Sequence, residues 1–186
     1  MKKLNSLSSF FRFLLAGTLL GFSTLYPKKL MAAEPTFFCG SESYRGEEVP
    51  TTYVNPETGG HPIALIYWVP DYFPEPPEER CSSATNKLQA YYDNGLLGYL
   101  DTDVVNGLPV ICIAQSIDNR CVDSDIIVTL RPETDPSQAL NVMIQMRDLI
   151  RQVNGNPLEI TDDLIVYRNG HPYINLGVFV DRLAGK

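Results

Sequence analysis

The side chains best suited to acid–base or metal chemistry in this chain are its two histidines, His61 and His171. Each stands in a Gly-His-Pro sequence, and together they could form a metal pair or a base with its partner. The same tripeptide is typical of a turn that leads into an edge strand, where proline is tolerated. Nothing in the sequence brings the two histidines together, so we interpret both as residues of turns.

Three pairs of aspartates could act as a general acid and base if both carboxyl groups of a pair faced one cleft. The pairs are Asp101 and Asp103, Asp123 and Asp125, and Asp162 and Asp163. The segment Asp118–Asp125 also resembles a loose calcium loop, although it lacks the glycine and the terminal glutamate of an EF-hand. Spacing does not show a cleft, so we interpret these residues as solvated loop acids.

Motifs of nucleophilic and phosphate chemistry are absent from the sequence. It contains no Gly-x-Ser-x-Gly elbow, no phosphate-binding loop and no His-Glu-x-x-His. We therefore assign no catalytic residue, no metal site and no cofactor.

An aromatic group beside the proline-rich segment Pro70–Pro77 is a candidate binding surface. Aromatic side chains next to such loops recur in recognition surfaces, although they also commonly pack in a core. The group consists of Tyr67, Trp68, Tyr72 and Phe73.

The first 33 residues contain no acidic residue, and all 22 Asp and Glu residues follow them. Lys2, Lys3 and Arg12 precede an apolar run from Phe13 to Leu25, and small residues end the segment at Ala33. This is the pattern of a secretory signal peptide. The run is shorter than the roughly 20 residues of a membrane-spanning helix. We expect residues 1–33 to be removed after Ala33, which leaves one extracytoplasmic domain, 34–186, in the periplasm, the thylakoid lumen or the medium.

The charge of the processed chain restricts its partners. Removal of residues 1–33 takes away five basic residues, so the formal charge falls from −7 to −12. Nucleic acid is excluded as a partner because phosphate binding needs clustered Lys and Arg. Adhesion to an anionic lipid surface is disfavoured for the same reason. Peripheral association with a membrane through other contacts stays open, as does an unidentified protein or small ligand.

The four cysteines, Cys39, Cys81, Cys112 and Cys121, all follow the signal peptide. An even number in an exported chain indicates two disulfides, for which three pairings exist. Free buried thiols and a zinc site are the alternatives. A zinc site is disfavoured because no two cysteines have Cys-x-x-Cys spacing and both histidines are distant in sequence.

Strand patterns outnumber helical patterns, and the turns between them favour antiparallel pairing. One helix is predicted to begin at Pro77 and to end before Asn94-Gly95, and another is predicted over Pro136–Val153 with Asp135 as its N-cap. A polar loop is expected after residue 39, up to Glu48. Strands are predicted over 36–39, 51–54, 63–69, 96–100, 110–114, 126–130, 164–167 and 173–175, with a short C-terminal helix. The strand over 63–69 is almost continuously apolar, so we expect it to be buried on both faces. The fold class is therefore α+β: a single disulfide-stabilised domain with one antiparallel sheet and two main helices.

Several of these segments occur in a recognisable order. They are Phe38-Cys39, Pro50-Thr51-Thr52, Trp68 with Tyr72-Phe73, Glu79-Arg80-Cys81, the run Asn106 to Cys112, then Cys121, and Thr129 to Pro132. In this the chain resembles the cyanobacterial circadian oscillating polypeptide family, over roughly residues 37–150. The tail with its hairpin and short helix, 160–186, lies outside the resemblance. The resemblance implies a small exported cyanobacterial domain with structural cysteines and with no assigned catalytic activity.

Reasoning from the predicted elements favours one disulfide pairing over the other two. Cys112 lies in a strand and Cys121 follows a short polar loop, so the two face each other across a hairpin. Cys39 in the first strand is then left to pair with Cys81 in the first turns of a helix. The long bridge would hold a short strand and a helix that have little local support.

The function most consistent with these features is that of a non-enzymatic binding or structural protein of a cyanobacterial cell envelope or lumen. One alternative is a small extracytoplasmic hydrolase that uses carboxylates or a histidine. Another is a protease-inhibitor-like domain that presents the Pro70–Pro77 loop.

Overall fold

The computed structural model describes residues 36–56, 60–70, 73–117, 119–140 and 163–183. These belong to one compact unit, Glu34–Lys186. The predicted signal peptide lies outside the described residues, as does the predicted second helix beyond residue 140. The elements are β1 (Phe37–Tyr44), β2 (Glu47–Val54), β3 (Ile63–Tyr67), α1 (Pro77–Asp93), β4 (Tyr99–Val105), β5 (Leu108–Ala114), β6 (Ile126–Thr129), α2 (described over 136–140), β7 (Ile165–Arg168), β8 (His171–Asn175) and α3 (Leu176–Leu183).

The α+β class with antiparallel pairing is confirmed, but the strands form two sheets rather than the single sheet predicted. The N-terminal sheet has the order β1-β2-β3, and the C-terminal sheet has the order β6-β5-β4-β8-β7. The physical reason lies in α1, which packs on β1 and β2 and also contacts β6. The helix, rather than a continuous hydrogen-bonded ladder, joins the strands that precede it to those that follow.

The N-terminal sheet contains a hairpin that the sequence analysis missed. Residues 40–48 were predicted to be a polar loop, but β1 continues to Tyr44 and pairs with β2 along its whole length. The chain reverses at Arg45 and Gly46, whose φ angles of 54° and 87° suit a tight hairpin turn. Glycine takes a positive φ without strain, and asparagine takes it more readily than arginine, so Arg-Gly is a weaker turn signal than Asn-Gly.

The strand β3 was predicted to be buried on both faces, and this was wrong. Every residue of Ile63–Tyr67 is half-buried, because β3 is an edge strand of a three-stranded sheet. The main core lies instead between α1, the inner faces of both sheets and α3. Its largest fully buried members are Phe37, Val54, Leu88, Ile113, Leu140, Leu164 and Val180.

The two Asn-Gly hairpins of the C-terminal sheet are confirmed. Asn106 and Asn169 both have φ near 52°, and each is followed by a glycine with positive φ. The second hairpin, β7–β8, joins β4 over only two register pairs, Tyr99 with Asn175 and Leu100 with Ile174. The C-terminal hairpin is therefore attached to its sheet by a short ladder.

Both helix starts follow the signals predicted from the sequence. In α1, Pro77 occupies the first turn together with Glu78 and Glu79, where acidic side chains offset the partial positive charge of the helix end. In α2, the backbone N–H groups of Ser137 and Gln138 donate to Asp135 Oδ1 at 2.9 and 3.4 Å. The cap confirms the predicted start of α2.

Candidate binding surface

Both disulfides of the structure have the pairing that the sequence analysis favoured. Cys39 of β1 is joined to Cys81 of α1, 42 residues along the chain. Cys112 of β5 is joined to Cys121, nine residues along the chain. All four cysteines are thus oxidised, which indicates an oxidising, extracytoplasmic environment.

Trp68, one of the four predicted surface aromatics, is a core residue. Its side chain is on the inner face of the N-terminal sheet, and the residue is 4% exposed. Its indole N–H donates to Thr52 Oγ1 at 2.9 Å, and that oxygen lies 3.0 Å from Thr85 Oγ1 of α1. This buried polar cluster fixes α1 on the sheet beside the Cys39–Cys81 bridge, and Trp68 contributes to packing instead of to a groove.

The other predicted aromatics are separated by the structure. Phe73 is half-buried, and the Arg80 guanidinium lies 5.6 Å from the centroids of both the Phe73 and the Trp68 rings. Tyr72 lies outside the described residues. Tyr67 is the member of the group that contributes to the surface formed by the other face of the N-terminal sheet.

Side chains of all three strands form a cluster of aromatic rings on the side of the N-terminal sheet away from α1, where Tyr53 is 8% exposed and the other three rings are half-buried. We call this cluster, made of Phe38, Glu42, Tyr44, Tyr53 and Tyr67, the outer aromatic face. The rings of Tyr44 and Tyr67 stack with centroids 4.7 Å apart. The rings of Phe38 and Tyr53 stack with centroids 5.2 Å apart. The two stacks hold four rings on one side of a pleated sheet.

The absence of a side chain at Gly40 makes room for the stack of Phe38 and Tyr53. Gly40 lies between Phe38 and Glu42 on the same side of β1, and a Cβ atom there would be 3.0 Å from Cε2 of Tyr53. The absence of a side chain at this position lets the Tyr53 ring lie against the strand. The ring is therefore held in place from both sides, by backbone and by Phe38.

Glu42 gives the outer aromatic face a negative charge. The Tyr53 hydroxyl donates to Glu42 Oε2 at 2.6 Å and to the carbonyl of Ser41 at 3.1 Å. Burial, this hydrogen bond and the carboxylate charge all raise the pKa of Tyr53. Burial, followed by the charge of Glu42, also raises the pKa of Tyr67. Both phenols are thus kept neutral in a negative local potential.

The turn end of the β1–β2 hairpin extends beyond β3. The last residue of β3, Tyr67, pairs with Thr51, so residues 41–50 form a two-stranded ribbon. We call these residues the hairpin arm. Its tip carries exposed Arg45, Glu47 and Glu48. The guanidinium of Arg45 lies 5.1 Å from the centroid of the Tyr44 ring, a cation–π contact.

A second polar site lies on the C-terminal sheet, where Asp101 of β4 meets His171 of β8. His171 Nε2 is 2.7 Å from Asp101 Oδ1, and the Thr102 N–H donates to the same oxygen at 2.7 Å. The Asp101 side chain is 8% exposed and that of His171 is 31% exposed. The interpretation of Asp101 as a solvated loop acid was therefore wrong. His171 does lie where a turn enters a strand, but the order of β4 and β8 in the sheet also brings it to Asp101.

Among the described residues, the other candidate acids and His61 do not converge on this pair. His61 is exposed where the chain enters β3 of the other sheet. The carboxylate of Asp125 accepts the Tyr91 hydroxyl at 2.6 Å, and that of Asp163 pairs with Arg182. Asp118 and Asp162 lie outside the described residues. Within the described part of the chain, no three His, Cys, Asp or Glu side chains are placed to hold a metal ion.

Comparison with known proteins assigns the chain to a family. The model of the family described as circadian oscillating protein COP23 matches residues 36–181. The chain belongs to this family. No curated protein and no solved structure matches it.

The family match is longer than the sequence analysis expected. It continues beyond residue 150 through β7 and β8 and reaches residue 181 in α3. The C-terminal hairpin is therefore part of the family domain, which agrees with its place in the C-terminal sheet beside β4. The expectation that the tail lies outside the family pattern was wrong.

Four residues of the outer aromatic face were not predicted from the sequence: Phe38, Glu42, Tyr44 and Tyr53. The signal that could have found the first three is the period-two spacing of Phe38, Gly40, Glu42 and Tyr44, which marks one face of a strand. The described helices offer no candidate for a membrane crossing, since none is both long and apolar enough.

Proposed function

We propose that this chain is an exported, non-enzymatic binding domain of a cyanobacterial cell envelope or lumen, and that the outer aromatic face is its binding surface. The two disulfides support the exported location, as does the basic and then apolar start of the chain. The face supports the binding role, because it holds aromatic rings, three of them half-buried, beside a carboxylate, and aromatic side chains are enriched at interfaces. This ring cluster is the observation that carries the proposal.

The rigidity of the rings favours recognition over simple packing. Energetically dominant interface residues are enriched in tyrosine, which buries a large area with few rotatable bonds. Tyr44 and Tyr67 are half-buried and already stacked on each other, so little side-chain entropy is lost when a partner covers them.

The binding role is tested with a pair of matched tyrosine variants. Tyr67→Ser removes a ring from the outer aromatic face, whereas Tyr167→Ser removes a ring that is 63% exposed on β7. The processed wild-type protein and both variants are used to capture partners from extracytoplasmic fractions of the source organism. We expect a specific partner to be lost with Tyr67→Ser and retained with Tyr167→Ser. Equal capture by all three proteins would contradict the assignment of the face.

Export is tested separately by N-terminal sequencing of the native protein. We expect the mature chain to begin at Glu34, within a few residues, because Met31 is larger than the residue usually found three positions before a cleavage site. An intact Met1 on the native protein would contradict export.

A second candidate function, that of a small hydrolase, is favoured by the His171–Asp101 contact. A carboxylate that accepts from one ring nitrogen orients the imidazole and leaves Nδ1 to act as a base. The candidate predicts slow hydrolysis of an activated ester such as p-nitrophenyl acetate, lost in His171→Gln and at least tenfold slower in Asp101→Asn. Equal rates in the wild type and both variants would exclude it.

A further inference from the structure

The outer aromatic face lies beside the least protected strand edge in the described part of the molecule. Native proteins shield edge strands with short lengths, prolines or lysines. The edge strand β3 has five residues between two prolines, Pro62 and Pro70, and the edge strands β6 and β7 have four residues each. β1 has eight residues and contains neither proline nor lysine. It pairs only with β2 among the described strands.

A strand added to that edge would place its side chains over the outer aromatic face. Successive side chains of a strand alternate between the two faces of a sheet. Every second residue of an added strand would therefore stand beside the row of Phe38, Gly40, Glu42 and Tyr44. The Phe37 N–H already donates to Gln89 Oε1 of α1 at 2.8 Å, and the Ser41 carbonyl accepts from the Tyr53 hydroxyl. An added strand would therefore pair with the other N–H and C=O groups of β1 between Cys39 and Ser43, and this row would select the side chains.

The negative charge of the hairpin arm favours basic side chains on the partner. The hairpin arm has three glutamates, Glu42, Glu47 and Glu48, and one arginine, Arg45. The faces of the tyrosine rings also attract cations, and Arg45 already occupies one of them. In addition to burial, the Glu42 carboxylate raises the pKa of Tyr53 and Tyr67, and the same negative charge stabilises a nearby ammonium or guanidinium group.

We propose that the occupant of the outer aromatic face is an extended, lysine- or arginine-bearing segment of a partner protein, added as a strand along β1. The partner's backbone pairs with β1, and its basic side chains reach the Glu42 carboxylate and the Tyr44 ring. Arg45 is displaced from Tyr44 when the partner binds. The proposal rests on the proposed binding function and adds the chemical class of the partner.

The test uses the processed protein with intact disulfides and synthetic peptides as probes. The first probe is a capped octapeptide of alternating Lys and Thr, and the second alternates Glu and Thr. A third is the Lys-Thr peptide N-methylated at every second residue, which removes the donors along one strand edge. Titration calorimetry at low salt should show binding of the first peptide and at least tenfold weaker binding of the other two. Equal binding of the methylated peptide would overturn strand addition.

Two pairs of variants distinguish binding at the outer aromatic face from nonspecific attraction of basic peptides to an acidic protein. Glu42→Gln keeps an acceptor for Tyr53 and removes the charge, whereas Glu133→Gln removes one exposed charge elsewhere. We expect about tenfold weaker peptide binding for Glu42→Gln and less than twofold for Glu133→Gln. Arg45→Asn suits the positive φ of the turn and should strengthen binding severalfold, unlike Arg131→Asn on an exposed loop. Equal effects within each pair would mean nonspecific attraction and overturn the proposal.

The remaining outcomes identify other occupants. Sedimentation velocity of the protein alone would reveal a second copy on the face, if Tyr67→Ser abolished the self-association. Loss of the native partner in Tyr67→Ser without any binding of the Lys-Thr peptide would leave the proposed function intact and refute the basic segment. If Tyr67→Ser lost neither the native partner nor the binding of the Lys-Thr peptide, both the proposed function and the basic segment would be refuted.

Discussion

The two sheets of this domain obtain their stability in opposite ways. The N-terminal sheet depends on a distant contact, since Cys39 of its edge strand is bonded to Cys81 of the helix that covers it. The C-terminal sheet has a local bridge, Cys112–Cys121, and a buried polar contact between strands, Asp101–His171. The N-terminal sheet also has buried polar contacts around Thr52, but its other face carries the Glu42 carboxylate among aromatic rings. The difference indicates where the molecule is free to bind.

Removal of the long bridge should have the largest effect on stability, and the effect should appear first in the N-terminal sheet. Replacement of Cys39 and Cys81 by Ala releases a loop of 42 residues and should lower the free energy of unfolding by about 4 kcal/mol. Protection against hydrogen exchange should fall in β1, β2 and α1 before it falls in β4 and β5. Equal loss in both sheets would show that the domain unfolds as one unit and that the bridge is not local support.

Removal of the short bridge should have a smaller effect, confined to the other sheet. Replacement of Cys112 and Cys121 by Ala releases a loop of nine residues, for which the same chain-entropy reasoning gives about 2.5 kcal/mol. Chemical denaturation of both double variants measures the difference directly. A larger loss for the short loop than for the long one would mean that packing around Cys112, rather than loop closure, controls stability.

The polar contact of the C-terminal sheet should be worth less than either bridge. His171→Leu leaves the Asp101 carboxylate in its buried position without the imidazole, at a cost of about 2 kcal/mol. The side-chain contact between Asp101 and His171 also joins β4 to β8, beside their short backbone ladder. Without it, hydrogen exchange in β7 and β8 should accelerate more than in β5. His61→Leu, at an exposed position, is the control and should leave stability within about 0.5 kcal/mol.

The smallest effect concerns the contact that links α1 to the C-terminal half. Tyr91 of α1 donates to Asp125, and burial followed by this hydrogen bond raises the pKa of Tyr91 to about 12. A raised pKa means that the folded protein holds the phenolic proton more tightly than the unfolded chain. The stabilisation is therefore complete below pH 10, the ordinary phenol value, and is lost as the pH rises to about 12.

The variant Tyr91→Phe isolates that alkaline effect. Its free energy of unfolding should be lower than that of the wild type at neutral pH, and the difference should shrink between pH 10 and about pH 12. Tyr167→Phe, whose ring is largely exposed, is the control and should follow the wild type across this range. A constant difference between Tyr91→Phe and the wild type would show that the hydroxyl does not titrate with unfolding.

Local signals made much of the fold predictable from the sequence. The Asn-Gly turns at Asn106 and Asn169, the proline at the start of α1 and the Asp135 cap all involve residues within a few positions of each other. The pairing of Cys112 with Cys121 followed from the same short range. Signals of this kind depend on residues that are close together in the chain, so a single sequence is enough to identify them.

The missed features depend on contacts between distant residues. Asp101 and His171 are 70 positions apart, and only the order of β4 and β8 in the sheet brings them together. The division into two sheets depends on where α1 packs. The outer aromatic face was hidden because the alternation of Phe38 to Tyr44 includes Gly40 and serines, which resemble a loop in composition.

The unequal spacing of the cysteines also sets an order of events during oxidative folding. Loop closure is slower and entropically more costly over 42 residues than over nine, so the Cys112–Cys121 pair can form as soon as its own hairpin collapses. In the proposed export, which starts at the N-terminus, Cys39 would cross the membrane before Cys81 and would remain a thiol until Cys81 had followed. Over that interval the first strand would be exposed to the wrong partners. A thiol-trapping time course of oxidative refolding should show Cys112 and Cys121 protected together first, and Cys39 and Cys81 protected together afterwards. The long bridge is therefore the one whose formation an oxidoreductase would accelerate most.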